Sequence, residues 1–134
     1  MISLAVLATY VAAAAGYGIH CMGNVHCNSN DAKLVKALDQ VEQLQAQGHG
    51  SHVYQPRVHI ACVMGLYMSA CVYYDNGASD TVDRAAELLQ VLVKRGCTKC
   101  GCIPTKLGNN AASGSLRFDL TPQPCCSGTC ICPI

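Results

Sequence analysis

Gly96-Cys97-Thr98-Lys99-Cys100-Gly101-Cys102-Ile103-Pro104 stands where a strongly patterned helix ends, with three cysteines close together and a proline closing the stretch. Upstream, Val82, Ala85, Ala86, Leu89, Leu92 and Val93 recur at the three-and-four spacing that gathers apolar side chains on one helix face. Ser79 or Asp80 is placed to cap the start, Asp83 falls at the positive end of the helix dipole, and Lys94 and Arg95 fall at the negative end. Gly96 occupies the position after the helix, where a residue without Cβ adopts the left-handed conformation at low cost. A helix running into clustered cysteines reads as an anchor, to which the N-terminal segment carrying Cys21 and Cys27 is cross-linked.

Working outward, the first 15 residues carry no charge, are apolar from Ile2 and end in four alanines before Gly16. That pattern predicts a secretory leader, 1–15, followed by a domain from 16 to 134 with a cysteine-rich tail from about residue 121. The apolar run breaks at Gly16-Tyr17-Gly18, short of the roughly 20 residues a membrane-spanning helix needs. Eleven cysteines in an exported chain imply a disulfide framework, and an odd number leaves one thiol unpaired or bridged between molecules. Cys97-x-x-Cys100 alone also fits half a zinc site or a redox pair. The oxidising route favours disulfides, and a redox pair belongs before a helix, where the dipole lowers the thiol pKa, whereas this one follows it. No metal and no cofactor is therefore expected. The tail, Cys125-Cys126-Ser127-Gly128-Thr129-Cys130-Ile131-Cys132, resembles a metallothionein fragment but is expected to be stapled to the body, with the odd thiol a candidate to lie within it.

A second helix signal precedes the first in the chain. Ser29, Asn30 and Asp31 offer N-cap side chains, and Leu34, Val35, Leu38, Val41 and Leu44 make an apolar stripe that Gly48-His49-Gly50 ends. Residues 51–74 are rich in β-branched and aromatic side chains and predict strands near Arg57 to Met64 and Leu66 to Tyr74, with Pro56 as a break. Asp75-Asn76-Gly77 is turn chemistry, and Leu116, Phe118 and Leu120 alternate with Arg117 and Asp119 as a half-buried strand. The sum is a single-domain α+β sandwich: an antiparallel sheet of about five strands with two helices on one face.

A net charge of +1 argues against nucleic-acid binding, which draws on many phosphate contacts. No Gly-x-Ser-x-Gly elbow and no paired-carboxylate cleft is present, and the five histidines (His20, His26, His49, His52 and His59) read as surface residues, so no catalytic residue is expected. The competing reading is an extracellular metal-binding or structural cysteine-rich protein.

Several stretches in order resemble the killer protein KP four family, which comprises a virus-encoded killer toxin of a smut fungus and its fungal relatives. They are Gly18-Ile19-His20-Cys21-Met22-Gly23 through Cys27, Ile60-Ala61-Cys62 with Ser69-Ala70-Cys71-Val72, Leu89 to Pro104, and the strand Leu116 to Leu120. The resemblance implies a secreted, non-enzymatic toxin that inhibits the growth of fungal or plant cells by interfering with calcium channels. Its partner is then a membrane ion channel of the target cell or, for a virulence effector, a host extracellular protein. It implies pairing of Cys21 with Cys97, Cys27 with Cys100 and, more loosely, Cys62 with Cys71, leaving Cys102, Cys125, Cys126, Cys130 and Cys132 open. The protein is expected to be a monomer, or a disulfide dimer through the odd cysteine. In the family pattern a lysine just before the central cysteine carries the channel action. Here Ile60 is nearest that place and Arg57 and His59 are the nearest cationic candidates, with Lys94, Arg95 and Lys99 as further target-binding candidates.

Overall fold

The structure, a computed structural model, describes residues 18–134; the expected leader lies outside the described residues. Helix α1 spans Leu34–Leu44 and α2 spans Val82–Lys94. The strands are β1 (Val53–Tyr54), β2 (Ala61–Val63), β3 (Ser69–Asp75), β4 (Asp80–Thr81), β5 (Gly101–Pro104), β6 (Ser115–Thr121) and β7 (Cys130–Ile131). Five of them form an antiparallel sheet in the order β5-β6-β3-β2-β7, while β1 and β4 pair separately. The protein is thus a single-domain α+β fold with two helices and a five-stranded antiparallel sheet.

Both helices cover the same face. Leu34, Ala37, Val41 and Leu44 from α1 and Val82, Ala85, Leu88, Leu89 and Leu92 from α2 share one core with Ala70, Val72, Tyr74, Ile103, Leu116 and Phe118. Alternation along the strands sends Cys62, Cys71, Tyr73, Asp75, Cys102, Arg117 and Asp119 to the opposite face. The cross-strand pairs Cys62↔Cys71, Tyr73↔Arg117 and Cys102↔Arg117 place them there.

The helix boundaries differ from the sequence expectation for local reasons. Ser29, Asn30 and Asp31 do not cap α1; Lys33 takes the N-cap position without a side-chain bond, and the Leu34 N–H donates to the Thr98 carbonyl at 2.9 Å. The cysteine stretch after α2 thus satisfies an end of α1. Val35 is half exposed, because the buried arc turns through Ala37 and Gln40 instead. In α2 the cap is Thr81, whose hydroxyl accepts the Arg84 N–H at 3.1 Å, since Asp80 and Thr81 are extended against β1. Leu88 joins the buried stripe, and Val93 is only partly buried.

The expected strand from Arg57 to Met64 shortens to β2. Arg57 has φ 68°, so the chain turns there right after Pro56. Leu66 and Tyr67 stand outside β3 in an exposed loop. The tail joins the sheet as edge strand β7 beside β2, and the Cys132 N–H donates to the Ile60 carbonyl at 3.0 Å. Gly96 has φ 93° at the end of α2, the left-handed position that favours glycine.

Candidate interaction surface

Five disulfides are present: Cys21–Cys97, Cys27–Cys100, Cys62–Cys71, Cys125–Cys132 and Cys126–Cys130. The first two fasten the N-terminal arm to the stretch after α2. The arm also adds to the sheet edge, with His20 and Cys102 exchanging backbone hydrogen bonds at 2.9 and 2.8 Å. Asn24 donates its N–H to Asp119 Oδ1 at 2.8 Å, and Lys99 Nζ donates to the Asn28 carbonyl at 2.6 Å. The other three disulfides cluster behind β2, with Cys62 Sγ 3.5 Å from Cys125 Sγ and 3.8 Å from Cys132 Sγ. Sulfurs joined in this way lack the thiolate charge that a zinc site requires.

The odd thiol is Cys102, which lies in β5 and outside the tail. Only 3% of the residue is exposed, and its backbone pairs with His20 of the arm.

The five expected cationic candidates divide into two groups. Arg57 and His59 stand together over the helix-free sheet face. Lys94 and Arg95 are exposed at the end of α2, and Lys99 is tied to the arm. Among the described residues no ion pair or hydrogen bond joins the two groups. Arg57 has the more defined setting: its N–H donates to the Tyr74 carbonyl at 2.7 Å, while its side chain is 77% exposed. One edge of its guanidinium lies 3.6 Å from Asp75 Oδ1.

Arg117, absent from the sequence candidates, completes this face. Its Nε lies 3.3 Å from Asp75 Oδ2 and its Nη1 lies 3.7 Å from Asp119 Oδ2. The carboxylate of Asp119 thus joins the arm to a row that runs Arg57, Asp75, Arg117, Asp119. Within that row Arg117 is largely covered and answered by two acids, whereas Arg57 shares one acid and faces water. Arg57 is therefore the cation offered outward. Only the fold could have revealed the row, because Arg57, Asp75 and the pair Arg117 and Asp119 are far apart in sequence.

His59 does not add to that charge near neutral pH. Burial lowers the imidazole pKa below its usual value, and the neighbouring Arg57 lowers it further. The ring packs against Tyr73 at a centroid distance of 5.5 Å. Burial raises the Tyr73 phenol, and Asp119 adds to the rise. A histidine pKa lower in the folded than in the unfolded state favours folding above the unfolded value, about 6.5, and that advantage is lost as pH falls toward the folded value. The melting temperature is expected to drop from pH 7 to pH 5, and His59→Gln to flatten that drop, as read by thermal melts in low salt.

A helix-backed antiparallel sheet, five disulfides and an outward cation beside the central strands define a small clamped α+β protein that presents a rigid surface. The model of the Kp4 family, killer protein 4, matches residues 4–121, and the chain belongs to that family. The cysteine tail lies beyond the match. No curated protein matches the chain. Kp4 is a killer toxin family, which makes a toxin-like role the functional class of this protein.

Proposed function

We propose that the protein is secreted and inhibits the growth of competing fungal cells or plant tissue by binding a membrane ion channel and lowering calcium uptake. It acts by occlusion from a rigid surface and not by catalysis. Membership of a killer toxin family and the five disulfides, which suit an oxidising compartment, support this reading. The observation that carries it is Arg57, fixed through its backbone to β3 while its guanidinium faces solvent. A cation on a fixed backbone loses no backbone freedom on docking, so more of its attraction to an acidic channel mouth remains as affinity.

Calcium uptake and growth of a panel of fungi and of root tissue, exposed to native protein and to Arg57→Gln, test the proposal. Native protein is expected to depress both, and Arg57→Gln to need on the order of tenfold higher concentration, equivalent to about 1.4 kcal/mol. Lys94→Gln is the comparison and is expected to shift potency much less. Equal potency of Arg57→Gln and native protein would remove Arg57 from the contact. Unaltered calcium uptake across the panel, with a host extracellular protein captured from secretions, would favour the effector reading over the channel.

A further inference from the structure

The loop between β2 and β3 exposes its apolar side chains. Met64, Leu66 and Tyr67 are 58%, 68% and 77% exposed, and no charged residue occurs from Val63 to Tyr74. Yet the loop backbone is held from below by side chains of the body. Thr129 Oγ1 accepts the Met64 N–H at 2.9 Å, and Asp31 Oδ1 accepts the Leu66 N–H at 2.6 Å. Asn30, itself 2% exposed, accepts the Tyr67 N–H at 3.4 Å and donates to the Met68 carbonyl at 2.6 Å. A Cβ at Gly65 would strike the Asn30 amide, so the close seating needs glycine there. The Cys62–Cys71 bridge closes the base.

We infer that this loop is a lipid-contacting tip that seats the protein on the headgroup region of a bilayer. The arrangement inverts an ordinary surface loop: three N–H groups and the Met68 carbonyl turn inward to side-chain partners, and apolar side chains turn outward. A protein partner would supply hydrogen bonds to a loop backbone, whereas hydrocarbon supplies none, so each backbone group already held by the body lowers the cost of a lipid contact. Tyrosine suits the boundary, with an apolar ring and a polar end. Lys33, exposed two residues after Asp31, is the cation nearest in sequence to the loop's anchors, set against Asp31, whose carboxylate is engaged by the loop. The inference goes beyond the channel reading and does not need it, since the test contains no channel.

Flotation of the native protein with vesicles of phosphatidylcholine and phosphatidylserine is the experiment. Native protein is expected to float with the vesicles, and the double variant Leu66→Ser/Tyr67→Ser to lose partitioning by on the order of tenfold or more, since both side chains leave water on contact. These residues are exposed, so an unchanged thermal melt certifies the fold of the variant. The chain has no tryptophan, so Tyr67→Trp creates a single reporter whose emission should shift to the blue with vesicles. Native protein that stays with the aqueous phase, partitioning unaffected by the double variant, or an unshifted Tyr67→Trp spectrum would each overturn the lipid tip. Growth inhibition that survives such a result would leave the channel reading standing.

Discussion

Replacing Cys21 and Cys97 by alanine is expected to lower stability by about 3 kcal/mol, and removing Cys27 and Cys100 as well to bring the loss to about 7 kcal/mol. The two bridges span 76 and 73 residues, and either alone closes most of the domain into a ring. With one in place, the other closes only a small ring through the arm and the stretch after α2, so the first loss is the smaller. The second opens the long ring, for which the chain-entropy relation gives roughly 4 kcal/mol. Against a total of about 5–15 kcal/mol for a domain, the loss of both removes a large share of the stability. Urea unfolding of the two variants in turn checks the uneven steps. Equal steps would mean that the bridges act independently, contrary to their interleaved pairing. The arm also carries the hydrogen bonds from His20 and Asn24, so its release is expected to expose Cys102 to alkylation.

Phe118→Ala is expected to cost about 3–5 kcal/mol and to lower the melting temperature by on the order of 10–15 °C with every disulfide retained. Phe118 lies in β6 between β3 and β5, opposite Val72 and Gly101, and is fully buried. Its ring fills the space between the sheet and the helices at a place where the backbone is paired on both sides and cannot close over a void. Gly101 cannot be enlarged to compensate without meeting Leu92 and Leu34, since a Cβ there would lie 3.2 and 3.3 Å from their side chains. Thermal melts of native and variant protein decide the matter. A change within 1 kcal/mol would show that the core centre lies elsewhere.

What could be read from the sequence followed from periodicity. The stripes of α1 and α2, the glycine after α2 and the alternation of β6 depend on neighbours a few residues away, so the chain displays them directly. Elements whose existence depends on distant partners were harder to read. The tail becomes a strand only because Ile60 and Ala61 offer it an edge, and two residues of strand carry no periodic signal. Asn30 and Asp31 read as helix caps, yet the loop of residues 64–68 takes both side chains because it passes close enough to compete for them. At the candidate surface, Arg57 was legible from its place before Cys62. Arg117, Asp75 and Asp119 were not, because the row they form is fixed by the pairing of Tyr73 with Arg117 and of Cys71 with Asp119. His59 was legible as a basic residue, but its neutrality is a consequence of burial beside Arg57.

All of these expectations rest on an oxidised, clamped body, and a peptide map of the purified protein under non-reducing conditions tests that state. The map should return Cys21 with Cys97, Cys27 with Cys100, Cys62 with Cys71, Cys125 with Cys132 and Cys126 with Cys130, and Cys102 as the one thiol that alkylates only after unfolding. Recovery of the protein with Cys21, Cys27, Cys97 and Cys100 reduced, and a native mass raised by a bound metal ion, would contradict it.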